Sequence, residues 1–195
     1  MKTYPDRESS LALLKKYNTD PFHIQHALTL SEVMRRFAEN LGYEEDKEFW
    51  ATVGLLHDVD FGTYPEEHLQ WAPKLLAEVN ASDEFVRAVL SHGYGICSDV
   101  EPVHEMEKVL FAVDELTGLI ASSALVRPSK SCKDMELKSL KKKFKTRSFA
   151  AGCDRDIIQR GADRLGWTLD ELMQRTLDVM KETEDRIAEQ LQEVL

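Results

Sequence analysis

Three observations predict an all-α protein. Apolar residues recur at helical spacing along almost the whole chain, convincing period-two alternation between turn residues is missing, and several segments carry recognisable start and stop signals. With 195 residues, 43% of them apolar, the chain has enough material for one sizeable core. No internal repeat and no Gly-, Ser- or Pro-rich linker divides it, so one helical domain over 1–195 is expected.

Helices are expected at about 9–17, 21–41, 47–57, 68–79, 83–92, 105–126, 135–145, 154–165 and 169–192. In the second, Leu28, Leu30, Val33, Met34, Phe37 and Leu41 mark the inward face, and Gly42 follows the run. The third is the apolar stretch Trp50-Ala51-Thr52-Val53-Gly54-Leu55-Leu56; the fifth starts after Ser82, a capping residue, and ends before Gly93. The sixth contains Val109-Leu110-Phe111-Ala112-Val113. In the last, Thr168 and Glu171 have capping-box spacing, and Leu169, Leu172, Met173, Thr176, Met180, Ile187 and Leu191 form one stripe, as expected of core packing or a homo-oligomer seam.

A formal charge of −10 argues against a surface that binds nucleic acid or an anionic membrane as a whole. The exception is 127–147, where nine basic residues stand against two acidic ones; that local charge of +7 leaves −17 for the remainder. Few aromatic residues interleave with these lysines, so the run reads as a solvated helix face or an aid to phosphate binding before it reads as a nucleic-acid platform. The stretch from Leu116 to Val126 is about half the length of a bilayer span. Met1 to Ser10 mixes charges with no apolar run behind it, so a cytoplasmic protein is expected. Cys97, Cys132 and Cys153 are odd in number and widely spaced, as reduced thiols are.

The chemistry concentrates where polar residues interrupt core helices. His57-Asp58 ends an apolar run, and a carboxylate there is costly to desolvate unless it is paired, hydrogen-bonded or bound to a metal. His26 falls on the buried stripe of its helix, His92 ends another apolar run, and Asp114 is the early charge in a third. Three histidines and two aspartates at core edges favour a metal site over five unrelated accidents; the alternative for Asp114 alone is pairing with a lysine or arginine. His23 reads as solvated or capping. His104-Glu105 starts like a zinc-protease helix, but Lys108 stands where the second histidine is needed.

In this order (His26, then Leu55-Leu56-His57-Asp58, Ser91-His92 and Val113-Asp114-Glu115-Leu116-Thr117-Gly118-Leu119-Ile120) the sequence resembles the HD-domain superfamily of metal-dependent phosphohydrolases. The likeness continues through Ala124-Leu125-Val126-Arg127-Pro128-Ser129-Lys130-Ser131 and Lys141-Lys142-Lys143-Phe144-Lys145, as in a bacterial branch of predicted HD hydrolases with unassigned substrate. It covers about 11–180. The resemblance implies an HD-type helical bundle with its core at about 21–126, followed by the basic segment 127–147 and C-terminal helices over 154–192.

It further implies that His26, His57, Asp58 and Asp114 hold one metal, with Asp58 free to bridge, and that His68 and His92 join where a second ion binds. For His68 the other reading is a solvated or capping residue. Mixed imidazole and carboxylate donors suit Fe, Mn, Zn, Co or Ni. The implied reaction is hydrolysis of a small phosphate ester or anhydride, such as a nucleotide, by a metal-activated water. From position, Asp60 is expected to orient or deprotonate that water, or else to cap a helix. Arg127 and Lys130 are expected to grip the phosphate if the chain folds back. The alternative is a regulatory domain that binds a nucleotide without turnover.

Overall fold

A computed structural model describes residues 3–195; Met1 and Lys2, part of the amino-terminal stretch considered above, lie outside the described residues. Among these residues there are nine α-helices and no strand, only an isolated bridge between Tyr94 and Ser98. The helices are α1 (Arg7–Tyr17), α2 (Pro21–Asn40), α3 (Lys47–Leu56), α4 (Ala72–Ala77), α5 (Asp83–Ser91), α6 (Glu105–Leu125), α7 (Leu137–Lys145), α8 (Arg155–Leu165) and α9 (Leu169–Val194). Short 3-10 turns at Glu44–Asp46 and Pro65–Glu67 complete them. No helix among the described residues is long and apolar enough to cross a membrane.

Local chemistry sets many of the starts. Asp6, Asp20, Ser82 and Asp154 each accept a backbone N–H at the head of α1, α2, α5 and α8, and Pro21 occupies the first turn of α2, where its missing donor costs nothing. Thr168 and Glu171 form the expected capping box of α9. His104 does the same for α6 with Glu107, a structural task consistent with the rejected protease motif.

The expected helix at 68–79 is corrected to Ala72–Ala77. Pro73 explains the difference: a helix begun at 68 would place it where a backbone N–H must donate to the Leu69 carbonyl, a donor that proline lacks, whereas a start at Ala72 puts it in the first turn, where none is needed. His68 is therefore extended, and Leu69 turns the chain at φ 66°. Smaller differences are the two-residue earlier start of α1 at Arg7, set by the Asp6 cap, and the later start of α7 at Leu137.

Helix α2 is central, with α3 and α9 packed on it and α6 behind. Leu28, Leu30, Met34, Phe37, Trp50, Leu55 and Phe111 are all fully buried. Two glycines permit the close approaches. A Cβ on Gly54 of α3 would come 2.6 Å from the Leu30 carbonyl oxygen of α2, and one on Gly161 of α8 would come 2.4 Å from the Ala112 Cα of α6. In both cases the obstacle is backbone. Gly161→Val should therefore destabilise the protein by about 1–3 kcal/mol, read as a lower urea midpoint at unchanged slope. An unchanged midpoint would show that α6 and α8 separate freely.

Candidate metal centre

Five segments deliver the site: α2 carries His26, the residues after α3 supply His57, Asp58 and Asp60, the turn before α4 carries His68, the end of α5 is capped by His92, and α6 presents Asp114. Asp58 lies at the centre. Its Oδ2 is 3.3 Å from His57 Nε2 and 3.9 Å from His26 Nε2; its Oδ1 is 3.3 Å from both His68 Nε2 and His92 Nε2. On the first side Asp114 Oδ1 is 3.0 Å from His26 Nε2 and 3.5 Å from His57 Nε2. One carboxylate thus faces two clusters.

The far nitrogens of the rings decide what the near ones offer. His57 Nδ1 donates to the Gly54 carbonyl at 2.8 Å, His92 Nδ1 to the Val89 carbonyl at 2.6 Å, and His68 Nδ1 to Asp60 Oδ1 at 2.9 Å. A carbonyl oxygen only accepts, so in the neutral ring the proton is on Nδ1 and Nε2 presents a lone pair. Those lone pairs point at carboxylate oxygens, and the His68 and His92 Nε2 atoms are 3.3 Å apart. The His57 Nε2 is buried and makes no hydrogen bond. Acceptors facing acceptors need a cation between them. Two groups of side chains, His26 with His57 and Asp114, and His57 with Asp58 and His92, each bring their donor atoms within 4.8 Å of one another. Mixed imidazole and carboxylate donors of this kind fit a divalent transition ion.

The electrostatics agree. Burial alone would depress the His57 imidazole, but Asp58 and Asp114 outweigh it and raise it well above the ordinary histidine value. Burial likewise opposes ionisation of Asp58 and Asp114, yet His57 and its neighbouring imidazoles hold both carboxyls far below the usual range. Glu115, behind Asp114, is pushed up to about 7 by burial and by the Asp114 charge.

Of the two roles expected of Asp60, the structure places it in the second, as a helix cap. It is fully buried, with Oδ1 on His68 and Oδ2 accepting the Ala72 N–H at 3.0 Å, so it lies behind His68 and caps α4 from a distance. Arg127 and Lys130 are not brought to the site. Asp114 and Arg127 are thirteen residues apart, about 20 Å along a helical path, and the Arg127 fork is spent on the Asp134 side chain and carbonyl. Of the basic run, Lys138, Lys141, Lys142 and Lys145 line a separate concavity with Leu137 and Thr146, and Lys141 pairs with Asp170.

The cleft over the site measures about 540 Å³. Beside the ligand residues it is lined by Phe22, His23, Phe61, Ile96 and Phe111, and by a far wall that includes Gly118, Ala150, Gly152 and Cys153. Sequence reasoning placed His23 in solvent or at a cap; instead it lines the cleft with a buried Nδ1, its ring edge-on to Phe61. Cys97 and Cys153 also reach the cleft, both as free thiols. Two buried side chains hold the surrounding loops. Asn18 donates to the Val59 carbonyl and accepts from Gly62 N–H, while Arg155 donates to the carbonyls of Phe144, Phe149, Ala150 and Cys153. Neither residue carried a sequence signal, because their partners are main-chain atoms.

Among known proteins, residues 24–119 match the family model described as HD domain, a span that holds every residue from His26 to Asp114. The tRNA (cytidine(56)-2'-O)-methyltransferase of Picrophilus torridus is 33% identical over 101 residues, covering 51% of this chain. The match spans only 29% of that enzyme's length. No solved structure matches the chain.

A raised His57 stabilises the fold fully below its ordinary value near 6.5, and that contribution is lost as pH rises through the raised value. Depressed Asp58 and Asp114 contribute above the ordinary carboxylate range and lose their effect only in strong acid. In chelator, Tm should therefore fall as alkaline pH removes the His57 proton, and Mn2+ should abolish that fall by replacing the proton. A Tm in chelator that stays flat through this range would contradict the arrangement.

Proposed function

The chain belongs to the HD-domain superfamily through residues 24–119, and on that premise we propose that it is a metal-dependent phosphohydrolase of small phosphate esters or anhydrides, with nucleotides and related metabolites as the first candidates. The observation that carries this reading is Asp58, whose two oxygens each face a separate set of imidazole Nε2 atoms. Divalent ions held by His26, His57, Asp58 and Asp114, and by Asp58, His68 and His92, would supply an acidified water and neutralise charge on the phosphoryl oxygens. The rest is positioning. Asp60 fixes the tautomer and angle of His68, the Gly54 and Val89 carbonyls do the same for His57 and His92, and Phe61 and Phe111 line the approach.

A second reading, a domain that binds a nucleotide without turnover, is favoured by one observation. The tRNA methyltransferase it resembles is named for a different chemistry, and the match covers a minor part of that protein. Phosphate release from a panel of phosphate esters and nucleotides, after Mn2+ loading, separates the two. Hydrolysis is expected, with a loss of at least about a hundredfold in Asp58→Ala, which forfeits a ligand common to both sets. Nucleotide binding without release in any member of the panel would favour the second reading.

A further inference from the structure

The cleft divides its chemistry sharply between one end and the other. At the inner end are Asp58, Asp114 and the imidazoles; towards solvent the wall is aromatic and aliphatic. Phe22 packs edge-on to His23 at 6.0 Å, His23 to Phe61 at 5.4 Å and Phe61 to His68 at 5.2 Å, so rings run without a gap from the rim to a ligand of the site. Phe22 is 65% exposed and Ile96 is 61% exposed, and because both line the same cleft they offer their apolar surface to a ligand that enters it. Gly152, which also lines the cleft, leaves open space where a Cβ would stand.

Charge is equally one-sided. No lysine or arginine lines the cleft among the described residues, whereas Asp58, Asp114 and Glu115 all do. The nearby Arg160 donates to the Tyr94 carbonyl and lies over the Phe111 ring, Arg127 is held by Asp134, and the α7 lysines face their own concavity. A chain of phosphates extending outward from the metals would therefore meet no cation.

The geometry points to a specificity narrower than phosphate esters in general: the site takes a monoester with a single phosphoryl group, whose leaving group is an uncharged ring system gripped by Phe22, Phe61 and Ile96. This inference rests on the hydrolase reading for its reaction but on the cleft wall for its ligand. Ring burial against this wall favours the aryl ligand, and a second anionic group at the rim disfavours it.

Phosphonates, which are not cleaved, separate the two claims. Calorimetry on the Mn2+-loaded protein should show phenylphosphonate binding about tenfold or more tighter than methylphosphonate, a gap of roughly 1.4 kcal/mol, and 4-carboxyphenylphosphonate losing that advantage. The ring preference should shrink several-fold in Phe22→Ala and Ile96→Ala, whose exposed side chains leave folding intact. Ring preference without phosphate release from any ester would uphold the ring-binding wall while the hydrolase reading, and with it the leaving-group role, fails. Equal binding of the phenyl and methyl ligands, no binding of either, or faster turnover of nucleoside triphosphates than monophosphates would overturn it, the last while leaving the hydrolase reading in place.

Discussion

Lone pairs directed at carboxylates are the constraint on which the rest of the structure depends. His57, His68 and His92 each spend the Nδ1 proton on an acceptor behind them, and each turns Nε2 towards Asp58. A cluster of acceptors at a core edge is unstable by itself, since the half-buried Asp58 faces imidazole lone pairs on both sides instead of donors. A cation reverses the sign of every one of these contacts. Without a metal the cheapest replacement is a proton on His57, which is the direction in which Asp58 and Asp114 drive that ring.

The helical scaffold serves that cluster by bringing short segments from distant parts of the chain to one point. Close approach of α3 to α2 at Gly54 sets the depth at which His57 leaves the helix, and the Gly54 carbonyl itself fixes the ring. Pro73 keeps α4 short, which releases His68 from helical geometry so that it can reach both Asp58 and Asp60. Arg155, buried, gathers the carbonyls that shape the loop forming the far wall. Each device is a main-chain hydrogen bond or a backbone contact; none depends on a surface ion pair, which contributes little in water.

What the sequence revealed follows from the same distinction. The helices were legible because burial imposes a 3.6-residue period, and the ligands because an ionisable residue inside an apolar run is costly: His57, Asp58, His92 and Asp114 stand out for that reason alone. His68 has polar neighbours on both sides and shows no such contrast, so only the likeness to a family pointed to it. Asp60 was legible as a residue near the site but not as one behind it, since depth is a property of packing. Arg127 and Lys130 do not line the cleft because the chain after α6 turns Arg127 onto Asp134, a pairing that residue type and charge alone do not reveal. Phe22, Ile96 and Gly152 gave no signal, being ordinary surface residues until the chain closes around the cleft.

Charge is therefore partitioned through the molecule: acceptors inside the cleft, an apolar rim, and a cationic face on α7 that shares no residue with either. The claim beneath this account is that Asp58 sits between two cation positions. Anomalous diffraction from crystals grown with Mn2+ tests it most directly. The account predicts peaks on both sides of Asp58, bound through Nε2 of His26 and His57 on one side and of His68 and His92 on the other, at roughly 2.0–2.3 Å. Density absent from both positions, or metal held elsewhere with these Nε2 atoms donating to carboxylates, would contradict it.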